Sequence, residues 1–392
     1  MECVVLAGGM GTRLRSVVAD LPKCMAPVAG KPFLHYIVES LETAGFDHII
    51  FSLGYKHEAI EEWIAGRKGS ARITYVVETE PLGTGGGVRY ALSQATEKDV
   101  FVLNGDTYFD VSYRKMLARH KASGAVATLA LKPMEYFDRY GEVAVDTTGH
   151  ITAFREKRPC EEGLINGGVY VIRRDALDVL PEKFSIEKEF FEKEVSRGTL
   201  AGFVSDGYFI DIGIPEDYER AQEEFAKGVY KRFDTLFLDR DGVINVQIVG
   251  DYVRRPEQMQ FIPGSLEALA RLRPVFRRMI VVTNQRGVGK GLMTEEDLKA
   301  VHDYMCSEVE RAGGHLDAIY YCTIPDDSCP RRKPNPGMME DAKADFPDID
   351  LSRSIMVGDK ESDMLFAERA GVWGIMVDGE FTLRRLADKL ID

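Results

Sequence analysis

Near the N-terminus, Leu6-Ala-Gly-Gly-Met-Gly-Thr-Arg-Leu14 follows a short apolar run, Cys3 to Leu6. Gly8, Gly9 and Gly11 after a strand let the backbone approach a phosphate chain and aim N–H groups at it. Arg13 adds a planar fork of donors that can grip phosphate oxygens. Lys23 follows a short loop later, in Leu21-Pro-Lys-Cys-Met-Ala-Pro-Val28, and Gly30-Lys-Pro32 leads into the next helix. Alone, such a loop is often only a tight turn and Lys23 a solvated charge. A second set lies far along the chain. Asp239-Arg-Asp-Gly-Val243 follows the apolar run Thr235 to Leu238. Carboxylates at i and i+2 past a strand end sit where open α/β sheets bind ligands. Val281-Val-Thr-Asn-Gln285 ends another apolar run with a hydroxyl, Thr283. Arg332-Lys-Pro-Asn-Pro336 supplies Lys333, and Val357-Gly-Asp-Lys-Glu-Ser-Asp363 supplies further carboxylates.

The elements that must position these groups are legible from periodicity. Cys3 to Leu6, Ile49 to Leu53 and Val100 to Leu103 are short unbroken apolar runs, as buried strands are. Phe33, Leu34, Ile37, Val38 and Leu41 have helical spacing. Strands alternating with helical patterns predict an α/β fold with a largely parallel sheet. The pattern restarts near residue 234, after a polar helical stretch from Pro215 to Ala226. Thr235 to Leu238, Met279 to Val282 and Ser354 to Val357 read as strands of a second sheet. Leu298, Val301, Met305 and Val309 mark one helix face. The boundary is expected in the short basic stretch Lys227 to Phe233, giving domains 1–228 and 234–392.

A chain of 392 residues suits two cores rather than one. A formal net charge of -13 argues against general nucleic-acid binding, which needs clustered Lys and Arg. The six cysteines are scattered and suggest no disulfide framework. No run approaches membrane-spanning length, and no leader-like segment opens the chain. The expectation is a cytoplasmic protein whose partners are small molecules, with no membrane or nucleic acid; the oligomeric state, a homo-oligomer included, is left open.

The first motif set resembles the sugar-phosphate nucleotidylyltransferases, and the likeness continues to about residue 225. Pro81-Leu-Gly-Thr-Gly-Gly-Gly87 resembles the family's base-binding loop, and Asn104-Gly-Asp106 its metal-holding aspartate. Glu156-Lys157 resembles the pair that meets the sugar phosphate. Asn166-Gly-Gly-Val-Tyr170 resembles a sugar-binding turn, and Asp211-Ile-Gly-Ile-Pro215 the segment with the second metal carboxylate. The resemblance implies a nucleoside triphosphate held by Leu6, Gly8, Gly9, Gly11, Thr12, Arg13, Lys23, Gly83, Thr84 and Asp106. It places Gly141, Glu156, Lys157 and Asn166 on the sugar, with Glu142 a further candidate; for Glu142 and Glu156 a solvated charge is the alternative reading. Asp106 and Asp211 would hold Mg²⁺, a hard ion that takes carboxylate oxygens. Glu78 is a candidate reader of guanine, against the plainer reading of an exposed strand charge.

The second set resembles the haloacid dehalogenase superfamily of phosphatases. That likeness implies Asp239 as nucleophile, Asp241 as general acid and base, and Thr283 and Lys333 as binders of the transferring phosphoryl. Mg²⁺ would be held by Asp239, the Asp241 carbonyl and Asp359, with Asp363 orienting Lys333 or the metal shell. Asp239-Arg-Asp-Gly-Val-Ile-Asn245, Thr283-Asn-Gln-Arg-Gly-Val-Gly-Lys-Gly291 and Arg332-Lys-Pro-Asn-Pro-Gly-Met338 resemble more closely the capless heptose bisphosphate and histidinol phosphatases. Asn284 would face the substrate, and Arg331 and Arg332 would help hold its distant phosphate, against the plainer reading that Arg331 only pairs with local acids. Its zinc loop is incomplete here. Cys322 and Cys329 remain, but Ile324 and Arg331 stand where a histidine and a cysteine would be, so no structural zinc is expected.

The N-terminal half looks most like the heptose 1-phosphate guanylyltransferases, and the C-terminal half like the phosphatases that make their substrate. The implied activity is a fusion of consecutive steps toward GDP-heptose. Alternatives are a mannose 1-phosphate guanylyltransferase joined to an unrelated phosphatase, histidinol phosphatase activity in the second half, or one half kept only as a binding module.

Overall fold

The computed structural model describes residues 1–9, 14, 21–155 and 157–391. Contacts divide them into two compact units, Met1–Tyr230 and Lys231–Ile391.

The first unit is built on strands β1 (Glu2–Ala7), β2 (His48–Leu53), β3 (Arg72–Val77), β4 (Asp99–Asn104), β5 (Ala127–Phe137), β6 (Cys160–Arg173) and β7 (Leu200–Val204), in spatial order β7-β5-β6-β4-β1-β2-β3. β1 runs parallel to both neighbours, β2 and β4. Its alternation sends Cys3 and Val5 into one core with helix Phe33–Thr43 and Val4 into another with helix Gly83–Leu92. Both faces are covered, which is why the strand reads as an unbroken apolar run. The expected parallel order breaks at β6, which is antiparallel to both β4 and β5. The reason is the connection. A parallel return needs a crossover, usually a helix, and the described residues between 138 and 159 supply only a two-stranded ribbon, Val143–Val145 with Ile151–Phe154.

The second unit holds β8 (Phe233–Leu238), β9 (Phe276–Asn284), β10 (Ala318–Cys322), β11 (Ile355–Gly358) and β12 (Trp373–Met376), in order β10-β9-β8-β11-β12. Every pair is parallel. Leu236 and Leu238 enter one core and Phe237 the other. Helix Glu295–Arg311 starts at a capping box between Thr294 and Asp297 and buries Leu298, Val301, His302, Met305 and Val309. The carboxyl ends of β8, β9 and β11 deliver Asp239, Thr283 and Asp359 to one edge, the ligand-binding edge of an open parallel sheet. Among the described residues, no helix is long and apolar enough to cross a membrane.

Candidate active sites

In the first unit, the chain leaving β1 borders a cleft of about 720 Å³, lined by Leu6, Gly8, Gly9, Lys23, Glu78, Gly83, Thr84 and Asp106 among others. Asp106 follows β4 after Asn104-Gly105, and the Gly105 amide donates to the Leu6 carbonyl at 2.9 Å. Asp211 ends a short strand, Phe209–Asp211, that pairs antiparallel with Thr107–Phe109, so Asp211 lies opposite Thr107. This register brings two carboxylates 105 residues apart onto one ammonium. Lys23 Nζ pairs with Asp106 and lies 3.3 Å from Asp211 Oδ1. Burial and the neighbouring Asp106 push the Asp211 carboxyl above its ordinary range, and Lys23 opposes them.

A second cleft, of about 440 Å³, adjoins the first and shares Asn104, Glu187 and Gly213 with it. Gly141, Lys157, Asn166 and Asp211 line it, with Arg139, Tyr140, Arg155 and Asp217. Glu142 accepts from Arg155 and Arg158. Gly11, Thr12, Arg13 and Glu156 lie outside the described residues.

Two expected loops differ from expectation. Pro81 to Gly87 is a loop only as far as Leu82, because Gly83 opens helix Gly83–Leu92. Glycine disfavours helices, so three in a row read as loop. Packing overrides the propensity: a Cβ at Gly85 would fall 2.1 Å from the Phe184 ring. Asn166-Gly-Gly is not a turn but an irregularity inside β6, where the register against β5 shifts between Asn166 and Tyr170. Gly168 has φ +73, and a Cβ there would lie 2.7 Å from Asn104 Nδ2. Such a bulge re-aims a side chain without ending the strand. Asn166 accepts from the Gly168 amide at 3.0 Å and donates to Tyr170 Oη at 3.1 Å. Glu78 is partly buried; it accepts from Ser52 Oγ and from the Leu82 amide, each at 3.0 Å.

In the second unit, Asp239 is 5% exposed and its amide donates to the Val357 carbonyl at 2.9 Å, tying β8 to β11. Buried Lys333 places Nζ 2.9 Å from Asp239 Oδ1 and 2.6 Å from Asp363 Oδ1. Burial would discharge this lysine, but the two carboxylates outweigh it and raise its pKa. Asp239, Asp359 and Asp363 can each offer an oxygen within 4.8 Å of the others. Asp363 has both oxygens engaged, one on Lys333 and one accepting from the Lys360 amide at 3.1 Å. Asp359 Oδ1 is buried with no hydrogen-bond donor among the described residues; Lys360 Nζ stands 3.7 Å away. Burial, with Asp239 and Asp363 adding to it and Lys360 opposing, moves the Asp359 carboxyl up to about 6. Gly242, at φ +94, makes room for Asp359: a Cβ would lie 2.2 Å from Asp359 Oδ2.

Asp241 points into a different set of partners. Arg240 Nη2 donates to its Oδ2 at 2.8 Å, Asn245 Nδ2 to its Oδ1 at 2.9 Å and Gln285 Nε2 to its Oδ2 at 3.0 Å. Burial favours the neutral acid, yet these donors hold the carboxyl below its ordinary range. Arg240 is fully buried. Asn284, expected on the substrate, instead brackets Lys333: it donates to the Lys333 carbonyl and accepts from its amide, both at 3.1 Å. Arg332 pairs with Asp327 and Arg331 with Asp341, each at 2.7 Å, so Arg331 matches its plainer alternative of a local ion pair. The Cys322 and Cys329 sulfurs are 3.8 Å apart.

A profile of the nucleotidyl transferase family matches residues 2–228. A D-glycero-alpha-D-manno-heptose 1-phosphate guanylyltransferase of Aneurinibacillus thermoaerophilus is 51% identical over 226 residues, 57% of this chain and 98% of the relative. The chain belongs to the nucleotidyl transferase family. The crystal structure of HddC from Yersinia pseudotuberculosis complexed with GMP-PN is 37% identical, covers 57% of this chain and 99% of its own, and superposes with a TM-score of 0.52. A HAD-like hydrolase profile matches residues 330–390, so a second domain type follows the first. The crystal structure of a D,D-heptose 1.7-bisphosphate phosphatase from B. bronchiseptica complexed with magnesium and phosphate is 35% identical; it covers 40% of this chain and 98% of its own, with a TM-score of 0.37.

Several lining residues of this nucleotidyl transferase were not anticipated. Glu187 borders both clefts and accepts from Thr84 Oγ1 at 2.9 Å. A separation of 103 residues leaves no local signal for that pairing. Arg139 and Asp217 pair at the wall of the second cleft, likewise from distant segments. In the second unit Arg240 and Gln285 stood inside quoted motifs, and an arginine flanked by two aspartates past a strand end was a readable hint.

Proposed function

We propose that this chain carries out two consecutive steps toward a nucleotide sugar. The C-terminal unit removes the 7-phosphate of D-glycero-D-manno-heptose 1,7-bisphosphate. The N-terminal unit then joins heptose 1-phosphate to GMP from GTP, releasing pyrophosphate and giving GDP-heptose. The reading is carried by two adjoining clefts, with Lys23 pairing Asp106 in the lining of one and Asp211 in the lining of the other, in a unit half identical to a heptose 1-phosphate guanylyltransferase. A phosphatase serving that unit must leave the 1-phosphate in place, which supports a second phosphate elsewhere on the same sugar as its target.

In the first unit the sugar 1-phosphate oxygen attacks the α-phosphorus, and the bond to pyrophosphate breaks. The attacking oxygen is already ionised, so no side-chain base is needed. The barrier comes from bringing polyanions together and from charge on the leaving group. Lys23 neutralises the α-phosphate, Arg13 the leaving pyrophosphate and Lys157 the sugar phosphate. Glu78 has lone pairs left after its two bonds and can accept from the paired donors of guanine.

In the second unit an Asp239 oxygen attacks the 7-phosphorus, the phosphorus–sugar oxygen bond breaks, and Asp241, which takes up a proton against the pull of its donors as the substrate's negative phosphate draws near, passes it to the leaving oxygen. Water then attacks the aspartyl-phosphate, giving its proton to Asp241 and freeing Asp239. Thr283 and Lys333 hold the phosphoryl oxygens.

The donor sets fit Mg²⁺ in both units: Asp106 with Asp211, and Asp239 with the Asp241 carbonyl and Asp359, whose Oδ1 lacks a donor. When bound, the ion would draw charge from the phosphate oxygens.

The test is one reaction mixture of heptose 1,7-bisphosphate, GTP and Mg²⁺, followed by mass. Wild type gives GDP-heptose. Asp239→Asn stops at the bisphosphate and Arg13→Ala at heptose 1-phosphate. Absence of GDP-heptose from wild type refutes the assignment.

A further inference from the structure

The Asp241 carboxyl accepts from Arg240, Asn245 and Gln285. Buried Gln285 sits at the centre of its surroundings. Gln285 Nε2 donates to Asp241 Oδ2 at 3.0 Å and to Thr283 Oγ1 at 3.1 Å, while Oε1 accepts from Arg240 Nη2 at 3.1 Å. Exchanging the amide oxygen and nitrogen would set donor against donor at Arg240 and acceptor against carboxylate at Asp241, so only one orientation satisfies the site. The backbone is fixed too, because the Gln285 amide donates to the Cys322 carbonyl at 2.7 Å. Arg240 is braced from behind: Nη1 lies 3.2 Å from His302 Nε2. Burial first, and Arg240 second, push His302 down to about 3, so it is a neutral acceptor for that guanidinium.

We propose that Gln285 is a positioning residue for phosphoryl transfer, its amide aligning the Asp241 carboxyl with Thr283, which holds the transferring phosphoryl, and Arg240 fixing the amide in turn. The inference rests on the phosphatase reading above. Asn245 also bonds Asp241, at 2.9 Å, but its other amide bond goes to the Val246 carbonyl rather than to a phosphoryl-binding group. Among the described residues, Gln285 alone joins Asp241 to Thr283 through one planar group. A general acid must lie within hydrogen-bond reach of the leaving oxygen, and proton transfer of this kind supplies roughly 100- to 10,000-fold. Loosening the acid forfeits part of that factor.

The dependence is selective. Cleaving a sugar phosphate breaks the phosphorus–oxygen bond to an alkoxide, which must take the Asp241 proton. Cleaving p-nitrophenyl phosphate breaks the same type of bond to a phenolate, which leaves without one. kcat/KM reports the steps through formation of the aspartyl-phosphate for both.

The experiment measures kcat/KM of the full chain with Mg²⁺ on heptose 1,7-bisphosphate and on p-nitrophenyl phosphate. Wild type is compared with Gln285→Ala and with Gln285→Met, which keeps the volume and removes the polar atoms. The expected result is a fall of roughly tenfold to 100-fold in the ratio of bisphosphate to aryl phosphate. In an Asp241→Asn background the same substitutions should move that ratio by less than about twofold, since residues acting through one another are not additive. An equal loss on both substrates, no loss on either, or a full additional loss in the Asp241→Asn background overturns the inference and leaves the phosphatase reading standing. A wild type that cleaves neither substrate overturns that reading and the inference with it.

Discussion

Replacing Lys333 with methionine removes the ammonium that two buried carboxylates share. Nζ lies 2.9 Å from Asp239 and 2.6 Å from Asp363, with all three side chains almost fully buried. At an effective dielectric of 20, each contact is worth about 6 kcal/mol of gross attraction. Most of that offsets the cost of taking the lysine out of water, so the net loss is smaller. Breaking a buried pair by removing one partner costs about 3–5 kcal/mol. A second bound comes from proton uptake. Protonating one carboxylate at pH 7 costs about 4 kcal/mol, so an orphaned pair cannot lose much more than that before one of them becomes neutral. Lys333→Met should therefore destabilise the C-terminal unit by about 3–5 kcal/mol. Urea unfolding with chelator present, read by hydrogen exchange in peptides of β8 and β11, reports that unit alone. Adding Asp239→Asn should recover part of the loss, because it removes one of the orphaned charges. A loss below about 1 kcal/mol, or no recovery in the double variant, would refute Lys333 as the shared counter-charge of this cluster.

Gly242→Ala should abolish phosphatase activity and leave guanylyl transfer intact, because its Cβ would stand 2.2 Å from Asp359 Oδ2 at a φ of +94; product masses in the coupled assay decide it. Glu78→Gln should weaken the preference for GTP over ATP by roughly tenfold, since one good carboxylate contact to a base edge is worth about 1–3 kcal/mol; an unchanged preference in competition assays removes Glu78 from base reading. Glu2 tests a stability link far from either site. Burial alone would raise its carboxyl, but the Glu97 amide, His48 and Thr96 bring it from 4.5 down to about 2. A depressed folded-state pKa stabilises above the unfolded value and is lost as pH falls through the folded one. Glu2→Gln should therefore cost up to about 3 kcal/mol at neutral pH, with the gap from wild type closing between pH 4.5 and about 2 in calorimetry of the N-terminal unit.

The sequence by itself determined the reaction chemistry and most of the strands that carry it. Strand β1 announces itself as an apolar run because both its faces are covered, and Asp239 and Asp241 follow β8 directly, so local order places them. Groups adjacent in sequence to a strand end are legible because a strand has only one carboxyl end and one ligand-binding edge. Tertiary structure decided what lies between distant segments. The pairing of Phe209–Asp211 with Thr107–Phe109 brings Asp211 to Lys23 and Asp106, and no local pattern encodes that register. Packing against Phe184 makes a helix of glycines that read as a loop. A register shift turns an expected turn at Asn166 into a bulge within β6. Asn284 turned out to bracket Lys333, and Gln285, one residue on, took the place beside Asp241. Gln285 lies just past the end of β9, where strand alternation no longer applies, and its direction is set by its amide bond to the Cys322 carbonyl and by Arg240, contacts that exist only when the sheet is assembled.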